Sequence, residues 1–322
     1  MPKKIVITGA SGFIGANLTR RLVALGHDVY LFLRPNCQTW RLNDVLGHVG
    51  TRFVQLQDIE SLYITINEIK PDWIFHLACH GAYPWQTDWR EMVETNLLGS
   101  INLMECASKI GVNAFVNSGC YSEYGSIFGS APESQSVDPQ NYYALTKSAQ
   151  TMTARLSFKQ KIYLPTLRLY SVYGPWQSPQ ELIPNLILYG LKGTLPPMVE
   201  AASINTQDYV YIDDVIDAYL NVAEKSGGRD SCPIYNVGTG NQISIKELVD
   251  ISISEFGLKA KNKLLTSQNE VSAAADITKI RKTLDWYPSV EMEIGFKKFS
   301  TWFKENPDFV EMYKIKLTQA CV

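Results

Sequence analysis

The segment Thr8-Gly9-Ala10-Ser11-Gly12-Phe13-Ile14-Gly15 constrains this chain more than any other. It follows a short run, Lys4–Thr8, and opens a stretch in which Phe13, Ile14, Leu18, Leu22 and Leu25 recur at helical spacing. A strand that turns into a helix over so few residues needs glycine, which adopts left-handed backbone conformations and lets other backbone approach closely. Such a turn also presents backbone N–H groups at a helix N-terminus, where the partial positive charge suits a phosphate. Ordinary strand–helix turns use glycine too, so the motif by itself leaves both readings open. Its place after the first strand of a longer series favours the phosphate.

That series runs on. The spacing predicts strands over Asp28–Leu33, Arg52–Gln57, Asp72–Ala78, Ala114–Ser118 and Ile162–Leu169, with helices over Ile59–Ile69, Glu91–Ile110 and Tyr142–Ser157. Strands alternating with helices imply a parallel sheet with right-handed crossovers. Continuous apolar strands such as Trp73-Ile74-Phe75-His76-Leu77-Ala78 fit a sheet covered on both faces. The fold class expected is therefore α/β, a doubly wound parallel sheet over residues 1–174. After Gly174-Pro175 the rhythm loosens, and helices over Leu182–Leu191, Asp213–Glu224 and Ile245–Phe256 are spaced by short strands and loops. Residues 175–322 read as a smaller α/β lobe, with the chain free to cross between lobes more than once. No internal repeat or low-complexity tract is visible.

Composition excludes several functions. A chain of 322 residues fits about two domain-sized units. With 45% apolar and 19% charged residues, it can bury a large core and is not a disordered chain. A net charge of −2 carries no basic excess, so nucleic acid is not an expected partner. The six cysteines (Cys37, Cys79, Cys106, Cys120, Cys232, Cys321) form no CxxC pair, and there are four histidines to join them. No metal site is expected, and free thiols suit a reducing compartment. The apolar run near the N-terminus breaks at Thr8-Gly9 and at Ser11-Gly12, too soon for a signal-peptide core. No run of 18 apolar residues offers a membrane span. The expectation is a cytoplasmic protein with no membrane partner.

A second motif, Tyr143-Ala144-Leu145-Thr146-Lys147, falls on a predicted helix. Residues four apart share a helix face, so phenol and ammonium can point into one pocket. A nearby cation lowers a phenol's pKa toward the range useful for proton transfer. The same spacing occurs by chance in many helices; its position downstream of the glycine segment argues for chemistry.

Taken together the motifs resemble one family. The segments at 8–15, 76–78 (His-Leu-Ala), 96–107 and 143–147, with Asp58 after the third strand, are similar to the extended short-chain dehydrogenase/reductases. So are those at 168–175, 208–215, 235–240 and 275–288, and the likeness spans residues 3 to about 304 in order. More narrowly the chain resembles the NAD(P)-dependent epimerase/dehydratase branch, which acts on nucleotide-diphosphate sugars. The resemblance implies a Rossmann domain for NAD(P) and a C-terminal lobe for the sugar nucleotide. It implies Tyr143 as acid/base, with Lys147 lowering its pKa and binding the nicotinamide ribose. Gly9, Ser11, Gly12, Phe13, Ile14, Gly15, Asp58, Ile59, Leu77, Ala78, Tyr170 and Val172 are the implied cofactor contacts, beside Tyr143 and Lys147. Asn96 resembles a helix-interior asparagine that positions the Lys147 region through a water. The resemblance also implies a homodimer built on the helices around 91–110 and 142–157.

Departures from the family pattern sharpen the reading. Where the family has a Ser or Thr ahead of a Tyr-Gly pair, here Tyr124-Gly125, this chain has Cys120, a weaker hydrogen-bond donor than a hydroxyl. Either Cys120 polarises a substrate carbonyl, or it is a small buried filler and a serine does so. Ser118, two residues earlier and so on the same strand face, can share the task. The Asp-Glu pair of the family's 4,6-dehydratases is replaced by Tyr121-Ser122, with Glu123 displaced by one, which disfavours dehydration. The run Ser118–Gly125 instead looks like that of sugar 4-ketoreductases such as the CDP-paratose and CDP-abequose synthases.

His80, Tyr83, Trp85 and Trp89 follow the fourth strand, where they either stack on a sugar or base or cover the sheet edge. Ser122 and Ser171 join His80 and Tyr83 as candidate substrate contacts. Asp213-Asp214 reads as helix capping and first-turn charge, and Lys279–Lys282 as a solvated helix face. The second strand ends in Arg34, with no acidic residue for the adenosine ribose. An arginine there can pair with a 2′-phosphate, which favours NADP(H) over NAD(H), or can simply anchor the turn at Pro35. Three function classes follow: an NADPH-dependent 4-ketoreductase, an NAD-dependent 4-epimerase, and a non-catalytic NAD(P)-sensing protein. The intact Tyr143 and Lys147 put the last behind the other two.

Overall fold

The computed structural model describes residues 1–127, 129–157, 162–197, 206–225, 231–259 and 274–319. Cys321 lies outside them. Seven parallel strands form the central sheet: β1 (Lys4–Thr8), β2 (Asp28–Leu33), β3 (Gly50–Phe53), β4 (Trp73–His76), β5 (Ala114–Cys120), β6 (Thr166–Leu169) and β7 (Ile234–Val237). Their order is β3-β2-β1-β4-β5-β6-β7, so the direction of winding reverses between β1 and β4. This is the doubly wound Rossmann arrangement, in which ligands meet the carboxyl ends of the strands at the reversal. The sheet is covered on both faces. Ile5 and Ile7 enter one apolar core, while Val6 between them enters the other, and all three are fully buried. Alternation in β1 therefore sorts side chains between two cores rather than between core and water.

The helices are α1 (Phe13–Ala24), α2 (Ile59–Ile69), α3 (residues 89–110), α4 (Tyr142–Ser157), α5 (Leu182–Gly190), α6 (Ile212–Glu224), α7 (Ile245–Phe256), α8 (Thr278–Leu284), α9 (Met292–Glu305) and α10 (Pro307–Gln319). Within α3, Trp89–Met92 and Gly99–Ile110 are α-helical on either side of a π-helical turn, Val93–Leu98. Apolar periodicity does not reveal that extra residue, and the structure corrects the regular helix expected there. It also corrects the third strand, which begins at Gly50 and ends at Phe53, with Val54 and Leu56 entering the core shared with α2 and α3. The sixth starts at Thr166, four residues later than expected, preceded by a lone bridge between Tyr163 and Ala114.

The sheet also takes in a strand from late in the chain. β7, from beyond residue 174, completes the sheet beside β6. A separate parallel pair joins Ser171–Tyr173 with Tyr209–Tyr211. Asp214 is buried there, accepting from Ser289 N (2.9 Å), Ser289 Oγ (2.7 Å) and Val290 N (3.1 Å). It ties α6 to the loop before α9, a structural task. No disulfide joins the five described cysteines, no metal-binding cluster occurs among the described residues, and no helix among them is long and apolar enough to cross a membrane.

Candidate active site

The site gathers at the carboxyl ends of β1, β4 and β5. Gly9 has φ +72°, and a Cβ on it would stand 2.5 Å from Ala78 N. A Cβ on Gly15 would stand 2.3 Å from Gly9 O. These clashes show why glycine is needed: the loop is folded tightly between α1 and the segment Leu77-Ala78. Gly12 is the N-cap of α1 and offers no side-chain cap, and the first turn holds no acidic residue. Its amides and dipole therefore remain available to an oxyanion, so Ser11, Phe13 and Ile14 fit the diphosphate of a dinucleotide. Ala78 N also donates to Thr8 Oγ1 (3.3 Å), tying the tips of β1 and β4 together.

Asp58 caps α2 by accepting from Ser61 N (3.1 Å), which fixes Ile59 as the first residue of that helix. Arg34, at the end of β2, is exposed and donates to Glu91 Oε1 (2.9 Å), so a carboxylate from α3 already answers its charge. Arg41, which no sequence motif points to, reaches the glycine loop. Its Nε donates to Trp176 O (2.7 Å), its Nη1 reaches Ser11 O (3.4 Å), and the guanidinium lies 4.2 Å from the Trp40 ring centroid. Carbonyls are its acceptors, so no carboxylate among the described residues cancels its charge. Tyr170 is buried and stacks on Tyr121 at 5.1 Å, with Val172 next to it in the Ser171–Tyr173 strand.

Tyr143 lies in the first turn of α4, within hydrogen-bond reach of the Cys120 thiol. Burial pushes its phenol well above the usual value, and Cys120 and Cys79 add to the rise. The expected lowering by Lys147 is not found. Lys147 is buried and donates instead to Gln150 Oε1 (2.6 Å), one turn further along α4. Cys120 accepts from Ser122 Oγ (3.1 Å), and burial raises its thiol as well. So the structure does place Cys120 at the phenol, the position given to a hydroxyl in the resemblance.

Ser118 is otherwise engaged. Its hydroxyl donates to His76 O (2.8 Å) and meets Tyr219 OH (2.6 Å), tying β5 to β4 and α6. Asn96 accepts from His80 N (2.7 Å) and donates to His80 O (2.8 Å) and Thr146 Oγ1 (3.0 Å), so it holds the loop after β4 directly to α4. His80 Nδ1 lies 3.3 Å from Glu91. Tyr83 stacks on Trp85 (4.6 Å) and is within electrostatic reach of Arg41 and Cys79. Ser171 donates to Gln207 (2.8 Å), on the side of Tyr121 and Tyr170. Trp89 stacks on Tyr142 at 5.9 Å, on an exposed helix surface.

The chain matches, over residues 5–238, a family described as NAD dependent epimerase/dehydratase. It belongs to that family. Family relatives include a UDP-glucuronate 4-epimerase of Thermodesulfobacterium geofontis, 27% identical, covering 96% of this chain and 99% of the relative. A UDP-glucose 4-epimerase of Mycolicibacterium smegmatis is 28% identical, covering 94% and 99%. Among solved structures, DesIV, a dTDP-glucose 4,6-dehydratase of Streptomyces venezuelae with NAD bound, superposes with a TM-score of 0.81 at 25% identity, covering 96% and 99%.

The run from Ser118 to Gly125 ends β5 and turns beside the phenol. Glu123 is fully buried; Oε1 accepts from Cys120 N (2.8 Å) and Oε2 from Arg168 Nε and Nη2 (3.0 Å each). Gly119 leaves room for it, since a Cβ there would stand 2.7 Å from Glu123 Oε1. The carboxylate thus braces the strand end, and its charge adds to the upward push on the Tyr143 phenol. Cys79 was passed over in the sequence although a signal exists. His76 and Asn117 are register partners, and three residues further on lie Cys79, in the loop after β4, and Cys120, the last residue of β5.

Proposed function

We propose that this protein reduces the 4-keto group of a nucleotide-diphosphate sugar, using NADPH. The observation that carries this reading is that the groups at the reaction centre hold protons rather than take them. Burial keeps the Tyr143 phenol and the Cys120 thiol protonated, and Glu123, the carboxylate beside them, is bound at both oxygens. Adding hydride to a carbonyl leaves an oxygen that must receive a proton, which such a site supplies. Oxidising a hydroxyl or removing water begins with a base.

When bound, the nicotinamide supplies the hydride. Tyr143 gives its phenolic proton to the sugar oxygen as charge develops there. Lys147, one turn away on α4, stabilises the phenolate that remains. Cys120, already accepting from Ser122, keeps its own proton to steady the same oxygen. Gly9, Ser11, Gly12, Phe13, Ile14, Gly15, Asp58, Ile59, Leu77 and Ala78 line the place for the dinucleotide, with Arg34 and Arg41 as its cations. Tyr83, His80, Ser122 and Ser171 are the substrate contacts in this reading, and turnover with NADPH belongs in the reducing cytoplasm.

A second reading, the NAD-dependent 4-epimerase, is favoured by the names of the two relatives and by Glu91, which answers the charge of Arg34. One assay separates them. Nucleotides released from the purified protein are identified by mass analysis, and NADPH oxidation is followed with a 4-keto sugar nucleotide. Turnover of added NADPH by protein free of bound NAD supports the reductase. Bound NAD, with interconversion of 4-hydroxy epimers without added cofactor, gives the case to the epimerase. Neither activity in a protein that binds dinucleotide leaves the sensor.

The homodimer expected of the helices around 91–110 and 142–157 is supported by apolar exposure. Leu98 on α3 and Tyr142, Leu145, Met152 and Leu156 on α4 are large and exposed, those on α4 at spacings that share one face. Light scattering should give twice the 36.2 kDa of one chain, and Leu145→Glu with Met152→Glu should return it to one.

A further inference from the structure

Lys147 sits at the end of a buried chain of polar groups that joins the tips of β1 and β4 to α3 and α4. Thr8 Oγ1 and His76 Nδ1 are 2.7 Å apart, His76 Nε2 and Ser100 Oγ 2.7 Å. Gln150 Nε2 donates to Ser100 Oγ (2.9 Å), Ser100 Oγ donates to Asn96 O (2.6 Å), and Lys147 donates to Gln150 Oε1 (2.6 Å). Every one of these side chains is buried.

The proton positions follow from counting. Ser100 has one proton, spent on Asn96 O, so it accepts from both His76 and Gln150. His76 therefore carries its proton on Nε2 and accepts from Thr8 at Nδ1. It is neutral, since burial first and Lys147 second lower its pKa to about 3. With Ser100 unable to donate to it, the Gln150 amide can place only its NH2 toward Ser100. Its carbonyl must face Lys147. The amide cannot flip without setting NH2 against both an ammonium and, at its other end, losing Ser100.

We infer that Gln150 is the positioning residue of the reaction centre: it fixes Lys147 with an uncharged acceptor, so the ammonium is held in place without being neutralised. A carboxylate would hold it as firmly but cancel the charge that a phenolate and a ribose need. The inference rests on the proposed acid/base role of Tyr143, and it extends that role to a residue outside the Tyr143–Lys147 motif. The groups facing the pair from other elements are Cys120 and Glu123 near the end of β5, Cys79 after β4, neutral His76, and Arg168 on β6, itself bound to Glu123.

Gln150→Glu changes charge while keeping shape, and Gln150→Met keeps volume while removing the acceptor. Thermal unfolding and dinucleotide binding are measured for each variant. The expected result for Gln150→Glu is a thermal midpoint equal to or above wild type with affinity for NADP+ and NAD+ reduced about tenfold, a split that a merely structural role would not give. Gln150→Met should also lose dinucleotide affinity, and Ser100→Ala should lose part of it while Ser100→Thr restores it. If Gln150→Glu binds both dinucleotides as wild type does, the inference is overturned. These readouts need no sugar nucleotide, so failure of the proposed reduction shows separately, as wild-type protein that binds dinucleotide and turns nothing over.

Discussion

Arg34 Nη1 and Glu91 Oε1 meet at 2.9 Å, joining the end of β2 to the first turn of α3 across 57 residues of sequence. Both side chains are exposed, so the pair is screened and weak in itself. Its effect is on choice of ligand. Glu91 competes with any 2′-phosphate for Arg34, and Glu91→Gln removes the competitor. The expected outcome is about threefold tighter NADP(H) binding with NAD(H) unchanged, on the scale of a surface ion pair. Arg34→Ala should narrow the preference, and Arg41→Ala should weaken both dinucleotides. Fluorescence quenching gives the four dissociation constants per variant; equal losses for NADP(H) and NAD(H) in Arg34→Ala would remove Arg34 from the 2′-phosphate.

Tyr143→Phe removes one transferable proton and little else. Turnover should fall by about two to four orders of magnitude while dinucleotide affinity stays within twofold. Because burial raises the phenol, the wild-type protein keeps its proton through neutral pH, and the reductive rate should fall only on the alkaline side. A wild-type rate that declines below pH 8 contradicts the donor role.

Cys120→Ser offers a stronger hydrogen-bond donor at the same place. With Ser122 Oγ 3.1 Å from Sγ and the Cys120 amide held by Glu123, the backbone has no reason to move. Steady-state kinetics should show activity retained or raised about two- to fivefold, whereas Cys120→Ala should lose it about tenfold or more. Complete loss in the serine variant would mean that sulfur has chemistry of its own.

Arg168→Leu strands Glu123 in the core. Breaking a fully buried pair from one side costs about 3–5 kcal/mol, and urea denaturation should show it. Glu123→Gln with Arg168→Leu should recover a large part. Activity of the single variant should fall with stability, because Glu123 also holds Cys120 N; full activity in a destabilised protein would separate the two.

His76 makes the fold acid-sensitive. Its pKa is lowered to about 3 by burial, against 6.5 unperturbed, so the unfolded chain binds the proton more readily between those values. Stability contributed by neutral His76 is fully present above about pH 6.5 and falls by about 1.4 kcal/mol per pH unit below it. Urea midpoints measured from pH 7 to pH 4 should decline more steeply in wild type than in His76→Gln. Parallel declines would mean that His76 is not the group responsible.

Much of the fold is local and therefore legible. Ile59–Ile69 and Tyr142–Ser157 show amphipathic spacing with clear ends, and the structure keeps both boundaries. The glycine segment and Tyr143–Lys147 are short motifs whose chemistry needs no distant partner to be noticed. What the sequence hides is pairing at long range. Ser118 carries the residue type expected of a catalytic hydroxyl, but its partner Tyr219 lies 101 residues away and claims it for packing. Arg34 looks like a free cation until α3 brings Glu91 beside it. Arg41 stands in a loop without periodicity, and only the folded chain sets it against Ser11. Gln150 was within reach, since three residues along a helix is the same face as Lys147, but its meaning depends on Ser100 and His76.

The π-helical turn Val93–Leu98 sets α3 in two rotational phases. Before and within it, Asn96 faces His80 and Thr146; after it, Ser100 faces His76 and Gln150. Deleting one residue from the turn would let the ladder close at ordinary spacing, a more regular helix by itself, yet would rotate one half against the other by about 100°. Either set of partners would then face the wrong way. Descendants of this chain can exchange the exposed side chains of the turn, but they inherit Asn96 and the residue count unchanged, and gaps in this stretch should be rarer than on either flank.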